Sequence, residues 1–194
     1  MAIDPSIFFQ VNVADTCSVW NILSSSKLYA AAQEANCDFC MTTFVHYECL
    51  VKTRSAPTPA DLELRERLRK ELAKGKFMRH SCSIDDLQAI ADLKSRKSLG
   101  MGELSSIAFA AKIRQGFITD DQKARKLSQT VGYSPTQTTA HMHAWLIFTN
   151  RLTDADHTTV LAQHQEMGGS LGPHLINAYR LALECRLRAA MPPP

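Results

Sequence analysis

The chain has 194 residues, 45% of them apolar, 21% charged and 7% aromatic, with a formal net charge of +3. That suits one folded domain with a helical extension, and no apolar run approaches the ~20 residues of a membrane span. So small a net charge neither requires nor excludes a nucleic-acid partner; local charge distribution has to decide. The opening Met-Ala-Ile-Asp-Pro lacks a basic stretch, so no signal peptide is expected and the expected setting is the cytoplasm. The cysteines at 17, 37, 40, 49, 82 and 185 are expected to be free thiols. A zinc set from Cys37, Cys40, His46 and Cys49 is disfavoured, because Cys40 falls in a strand pattern and Cys49 in a helix.

In chain order, Phe8 to Val13 predicts a short strand that runs into Ala14-Asp15, a carboxylate at its C-terminal end. Thr16 to Leu23 and Leu28 to Ala35 predict helices separated by Ser24-Ser25-Ser26, the second one stopping at Asn36. Asp38 to Met41 predicts a second strand, and Thr42 or Thr43 can cap the helix after it. In that helix Glu48 shares a side with Phe44, Val45 and Val51; a carboxylate on an apolar side needs a partner. Ala60 to Ala73 predicts a charged helix with Leu62, Leu68 and Leu72 inward. Lys76 to His80 predicts a weak edge strand. Ser83 caps a helix whose buried stripe is Leu87, Ile90, Ala91 and Leu93.

Gly100-Met101-Gly102-Glu103 then opens a helix with Leu104, Ile107, Ala108 and Ala111 on one apolar face; Gly116 is expected to stop it, and Phe117 to Thr119 form a buried strand ending in Asp120-Asp121. Lys123 to Thr130 predicts a short basic helix, and Val131 to Tyr133 a last, poor strand. Thr138 to Arg151, Asp154 to Met167 and Leu171 to Arg188 predict three further helices. His141 and His143 alternate on the first of these and do not share a face; Trp20 and Trp145 read as core.

Strands alternating with helices imply an α/β fold, a three-layer α/β/α sandwich with a mostly parallel sheet. Residues 1–135 are expected to form this α/β domain, and residues 136–194 a helical C-terminal extension packed on it or on a partner chain.

A helix that feeds a parallel strand runs antiparallel to it, so the helix start and the strand end lie at the same edge. The carboxyl edge is where open α/β sheets bind ligands. By that argument Asp15, Glu48, Glu103 and Asp121 converge on one rim, with Asp120 a spare acid beside the fourth. Gathered carboxylates repel, and a divalent cation would relieve them; oxygen ligands suit Mg²⁺ or Mn²⁺. No Walker or Gly-x-Gly-x-x-Gly loop is present, and no Ser or Cys nucleophile stands in a recognisable frame.

Val-Ala-Asp15-Thr16, Val45-His-Tyr-Glu48, Leu99-Gly-Met-Gly-Glu103 and Ile118-Thr-Asp-Asp121-Gln-Lys-Ala-Arg125 resemble, in order and spacing, the acidic motifs of PIN-domain ribonucleases, a family that includes the VapC-type toxins. The resemblance spans roughly residues 8 to 135. It implies a Mg²⁺- or Mn²⁺-dependent endoribonuclease that hydrolyses RNA phosphodiesters with metal-activated water. Asp15, Glu103 and Asp121 would ligate the ion, with Asp120 as an alternate ligand, and Glu48 would complete the catalytic set. Thr119, Arg96, Lys97, Lys123 and Arg125 are the candidate substrate contacts. The resemblance also implies a homodimer and, in the toxin branch, an antitoxin protein partner. Two departures matter: Cys17 stands where the family commonly has Ser or Asn, and the helical end is long. They motivate a second expectation, a PIN-like scaffold that binds RNA or protein without turnover. A third is a metal-dependent nuclease acting on DNA.

Overall fold

The computed structural model describes residues 4–53, 56–94, 99–131 and 135–190. Arg96 and Lys97 lie outside the described residues. Five strands form one sheet, all parallel: β1 (Val11–Ala14), β2 (Asp38–Thr42), β3 (Met78–His80), β4 (Gly116–Ile118) and β5 (Thr136–Gln137), in the order β3-β2-β1-β4-β5. Among the described residues ten helices connect or follow them: α1 (Thr16–Ser24), α2 (Ser26–Glu34), α3 (Thr43–His46), α4 (Pro59–Ala73), α5 (Ile84–Lys94), α6 (Met101–Ile113), α7 (Gln122–Val131), α8 (Thr139–Phe148), α9 (Asp154–Glu166) and α10 (Gly172–Ala190). A wide π-type turn, Tyr47–Val51, continues α3. No helix among the described residues is long and apolar enough to cross a membrane.

The period-two pattern of the strands divides the core. Ala14, Phe39, Met41 and Ile118 point to one face, packed with α1, α2, α4, α8 and α10; Val13 and Phe117 point to the other, against α5, α6 and α7. Helices cover both faces of a parallel sheet, so the molecule is a three-layer α/β/α sandwich, an architecture consistent with a PIN-like fold. The C-terminal helices join the first of these clusters through Met142, Leu146, Ile147, Leu175 and Ala178, and Trp145 stacks on Phe8 with ring centroids 5.1 Å apart.

Several local expectations are corrected. The last strand is Thr136–Gln137, not Val131 to Tyr133: Val131 ends α7, and residues 132 and 133 lie outside the described residues. Leu62 and Leu87 are largely exposed and Ala91 is exposed; Leu64 and Leu68 bury α4, while Asp86, Ile90 and Leu93 bury α5. In α5 the buried side is rotated from the one its leucines suggest, and Asp86 is held inward by Lys112 and Ser83. Helix α6 is stopped by Arg114 in the left-handed conformation (φ 53°), and Gly116 instead opens β4. A side chain there would collide with Asn12 Oδ1, which accepts from Gln137 Nε2 at 2.6 Å across the strand between them.

Candidate functional site

The carboxyl ends of β1, β2 and β4 carry the predicted acids. Asp15 follows β1 and caps α1. Its Oδ1 accepts from Ser18 N at 2.9 Å and from the Cys17 thiol at 3.1 Å, and its Oδ2 accepts from the Thr119 hydroxyl. It is wholly buried, and burial pushes its carboxyl up to about 6, against the pull of the Thr119, Ser18 and Cys17 hydrogen bonds. Cys17 is inert by the same logic: burial, with the Asp15 charge beside it, raises its thiol far above the reactive range.

Glu48 sits in the π-type turn, which delivers it to the same rim. Its Oε2 accepts from the Thr16 hydroxyl, and its Oε1 from Gly102 N at 3.2 Å. Gly102 is required for this approach, since a Cβ would collide with the carboxylate. Glu103, in the first turn of α6, lies close enough to Glu48 and Asp121 to feel both charges. Burial first, and those charges in addition, raise its carboxyl. Its Oε2 is buried without a hydrogen-bond partner.

Asp121 caps α7 through Ala124 N at 2.7 Å, and its own N–H donates to Thr119 Oγ1 at 3.1 Å. Asp120 is fully committed elsewhere. Its Oδ2 accepts from Asn21 Nδ2 at 2.8 Å and Thr139 Oγ1 at 2.6 Å, and its Oδ1 from Thr139 N at 3.0 Å, tying α1 to the start of α8. Thr119, read from sequence as a substrate contact, is buried and bridges Asp15 to Asp121. Lys123 is exposed on α7, and Arg125 is half-buried one turn after Asp121.

A continuous set of contacts thus joins the rim: Glu103 to Glu48 through space, Glu48 to Thr16, and Asp15 to Asp121 through Thr119. Thr16 was missed as a site residue. Its signal is its place directly after Asp15, at the first helical position, where a hydroxyl faces the same edge. Asn21, one and a half turns further along α1, was missed for want of any local cue.

Does this rim fit a divalent cation? The orphaned Glu103 oxygen and the crowding of acids are what a cation would satisfy. Asp15 and Glu48, however, have both oxygens committed to hydroxyls, a thiol and backbone N–H groups, and Asp121 has Oδ1 committed to its helix. Among the described residues no three His, Cys, Asp or Glu side chains are disposed to hold a metal ion. The hydrogen bonds on the acids use part of the donor set: Asp15 Oδ2 and the two Glu48 oxygens each accept a single one of them, and Glu103 Oε2 accepts none. The hydrogen bonds and the raised carboxyls of Asp15 and Glu103 offset part of the gathered charge. Compared with known proteins, the chain matches no protein family and no curated protein.

Proposed function

We propose that this chain is a PIN-like scaffold that binds single-stranded RNA beside the carboxyl edge of its sheet, with α7 as the contact element. The observation that supports it is the charge of that helix. It carries Lys123, Arg125 and Lys126 and no acid, and among the described residues none of the three forms an ion pair. Lys123 and Lys126 are exposed. Unpaired cations on one helix attract a phosphate backbone by counterion release, and the acidic rim below keeps the strand to the basic flank.

The test is fluorescence anisotropy with a short labelled oligoribonucleotide at several salt concentrations. Lys123→Ala with Lys126→Ala is expected to weaken binding and to reduce the salt slope by about 1.4. Unchanged affinity and slope would refute this role for α7.

A second reading, a metal-dependent endoribonuclease, is favoured by the buried, unpartnered Glu103 oxygen and its raised carboxyl. In this reading the hydroxyls of Thr16 and Thr119 would orient the Glu48 and Asp15 carboxylates, whose remaining lone pairs would face the ion. RNA cleavage that needs added Mn²⁺ or Mg²⁺ and disappears in Asp15→Asn would establish it over the scaffold. The same assay on DNA of matching sequence decides between the two nuclease readings.

A further inference from the structure

A cleft of about 240 Å³ opens beside α7, lined by Ile7, Phe9, Arg125, Gln129, Thr138 and His141 among others. Three features of it are unusual together. Arg125 Nε is buried without a hydrogen-bond partner, so a planar cation is held in the wall with an N–H left unsatisfied. Phe9 and Ile7 are 42% and 60% exposed, an apolar pair on the segment before β1 that the core does not use. The opposite wall is fixed. His141 Nε2 bonds Asp4 O at 2.8 Å and its ring packs edge-on against Phe8 at 5.5 Å, while Thr138 caps α8 through His141 N at 3.0 Å.

A guanidinium whose Nε has no hydrogen-bond partner, lining the same cleft as an exposed aromatic ring, matches the chemistry of one nucleotide. The base stacks on the ring or the guanidinium plane, and its phosphate pairs with the guanidinium charge. The volume admits one such unit and not a folded ligand. Asp4 also lines the cleft, but its carboxylate Oδ1 already accepts from Ser6 N at 3.0 Å and from Ser6 Oγ at 2.6 Å. The location suits a strand on α7: Arg125 follows Asp121 by four residues, a rise of roughly 6 Å along the helix. Thr138 adjoins Thr139, which holds Asp120.

We infer that this cleft is a subsite for a single nucleotide of an RNA strand lying along α7, recognised by Phe9 and Arg125; the inference rests on the RNA-binding reading above. Apolar stacking and a charged donor act differently with salt, which separates the two contributions.

The experiment is anisotropy titration of full-length protein with fluorescein-labelled oligouridylate and oligoadenylate. Phe9→Leu, which keeps apolar bulk and removes the ring, is expected to weaken binding about five- to tenfold with the salt slope unchanged. Arg125→Gln is expected to weaken it similarly and to lower the slope by about one, and Arg125→Lys to recover the slope and not the full affinity. Thermal melts of each variant verify that the fold is retained. If Phe9→Leu and Arg125→Gln bind like wild type while the Lys123/Lys126 double variant binds weakly, the subsite is wrong and the α7 reading stands. If the wild type binds no RNA, both fall.

Discussion

Asp15 is a carboxyl group in a place that disfavours its charge. Its pKa of about 6 lies above the ordinary 3.8, so the folded state holds a proton more tightly than the unfolded one. Stability from this residue therefore rises as pH falls from about 6 toward about 4. Above pH 6 the buried charge costs about 3 kcal/mol relative to an unperturbed carboxyl. Asp15→Asn keeps an oxygen for the Ser18 N–H, so the cap survives. The expected outcome is a protein more stable than wild type by roughly 1–3 kcal/mol at pH 7, with the advantage gone near pH 4, read from urea denaturation at the two values. A destabilised Asp15→Asn at pH 7 would mean that the Thr119 and Cys17 bonds outweigh desolvation. The importance of Asp15 was legible in its position after an apolar strand. That its oxygens are already taken was not legible, because Thr119 is 104 residues away.

At the scale of elements, the adjacent pair Asp120-Asp121 does two different jobs. Asp121 caps its own helix, and Asp120 staples α1 and α8 to the end of β4. Removing a cap costs about 1 kcal/mol, whereas stranding three donors in a half-buried place costs about 2–3 kcal/mol. Asp120→Ala is therefore expected to lower stability more than Asp121→Ala, by roughly 1–2 kcal/mol in paired chemical-denaturation curves; the reverse order would reassign the staple. From sequence alone the two acids are interchangeable at a helix start. What separates them is the direction each side chain takes once β5 and α8 are in place. The helix caps were more legible. Thr42 before α3, Ser83 before α5 and the serine break between α1 and α2 all sit where the sequence pattern puts them, because capping is decided within three residues. The exposed Leu62 and Leu87 mark where such local logic ends.

The whole molecule carries a second titrating device of opposite sign. His143 of α8 is fully buried, its Nε2 lies 3.2 Å from His157 Nδ1 of α9, and the His157 ring stacks on Tyr179 of α10 at 4.0 Å. Burial, with the neighbouring His157, pushes His143 down to about 3, so between pH 6.5 and 3 the unfolded chain binds more protons than the folded one. Stability from this site is complete above pH 6.5 and is lost on acidification, by as much as roughly 4–5 kcal/mol once pH reaches 3. The Asp15 and His143 contributions oppose each other between pH 6 and 4. His143→Gln is expected to flatten or reverse the acid loss of stability, and Asp15→Asn to steepen it, measured as urea midpoints across that range. Parallel profiles for the two variants would contradict both assignments.

The sequence by itself determined the layers and the edge. Strand alternation, helical periodicity and the rule that helix starts and strand ends share an edge placed Asp15, Glu48, Glu103 and Asp121 together, because each of these is a local property propagated by a parallel sheet. Only the tertiary structure decided what those acids do. Hydroxyls and N–H groups from Thr16, Thr119 and Gly102 bond their oxygens, Arg125 Nε is left without a hydrogen-bond partner, and two distant histidines meet in the core. Those outcomes depend on side chains brought together across tens of residues, where no periodicity in the chain records which atom faces which.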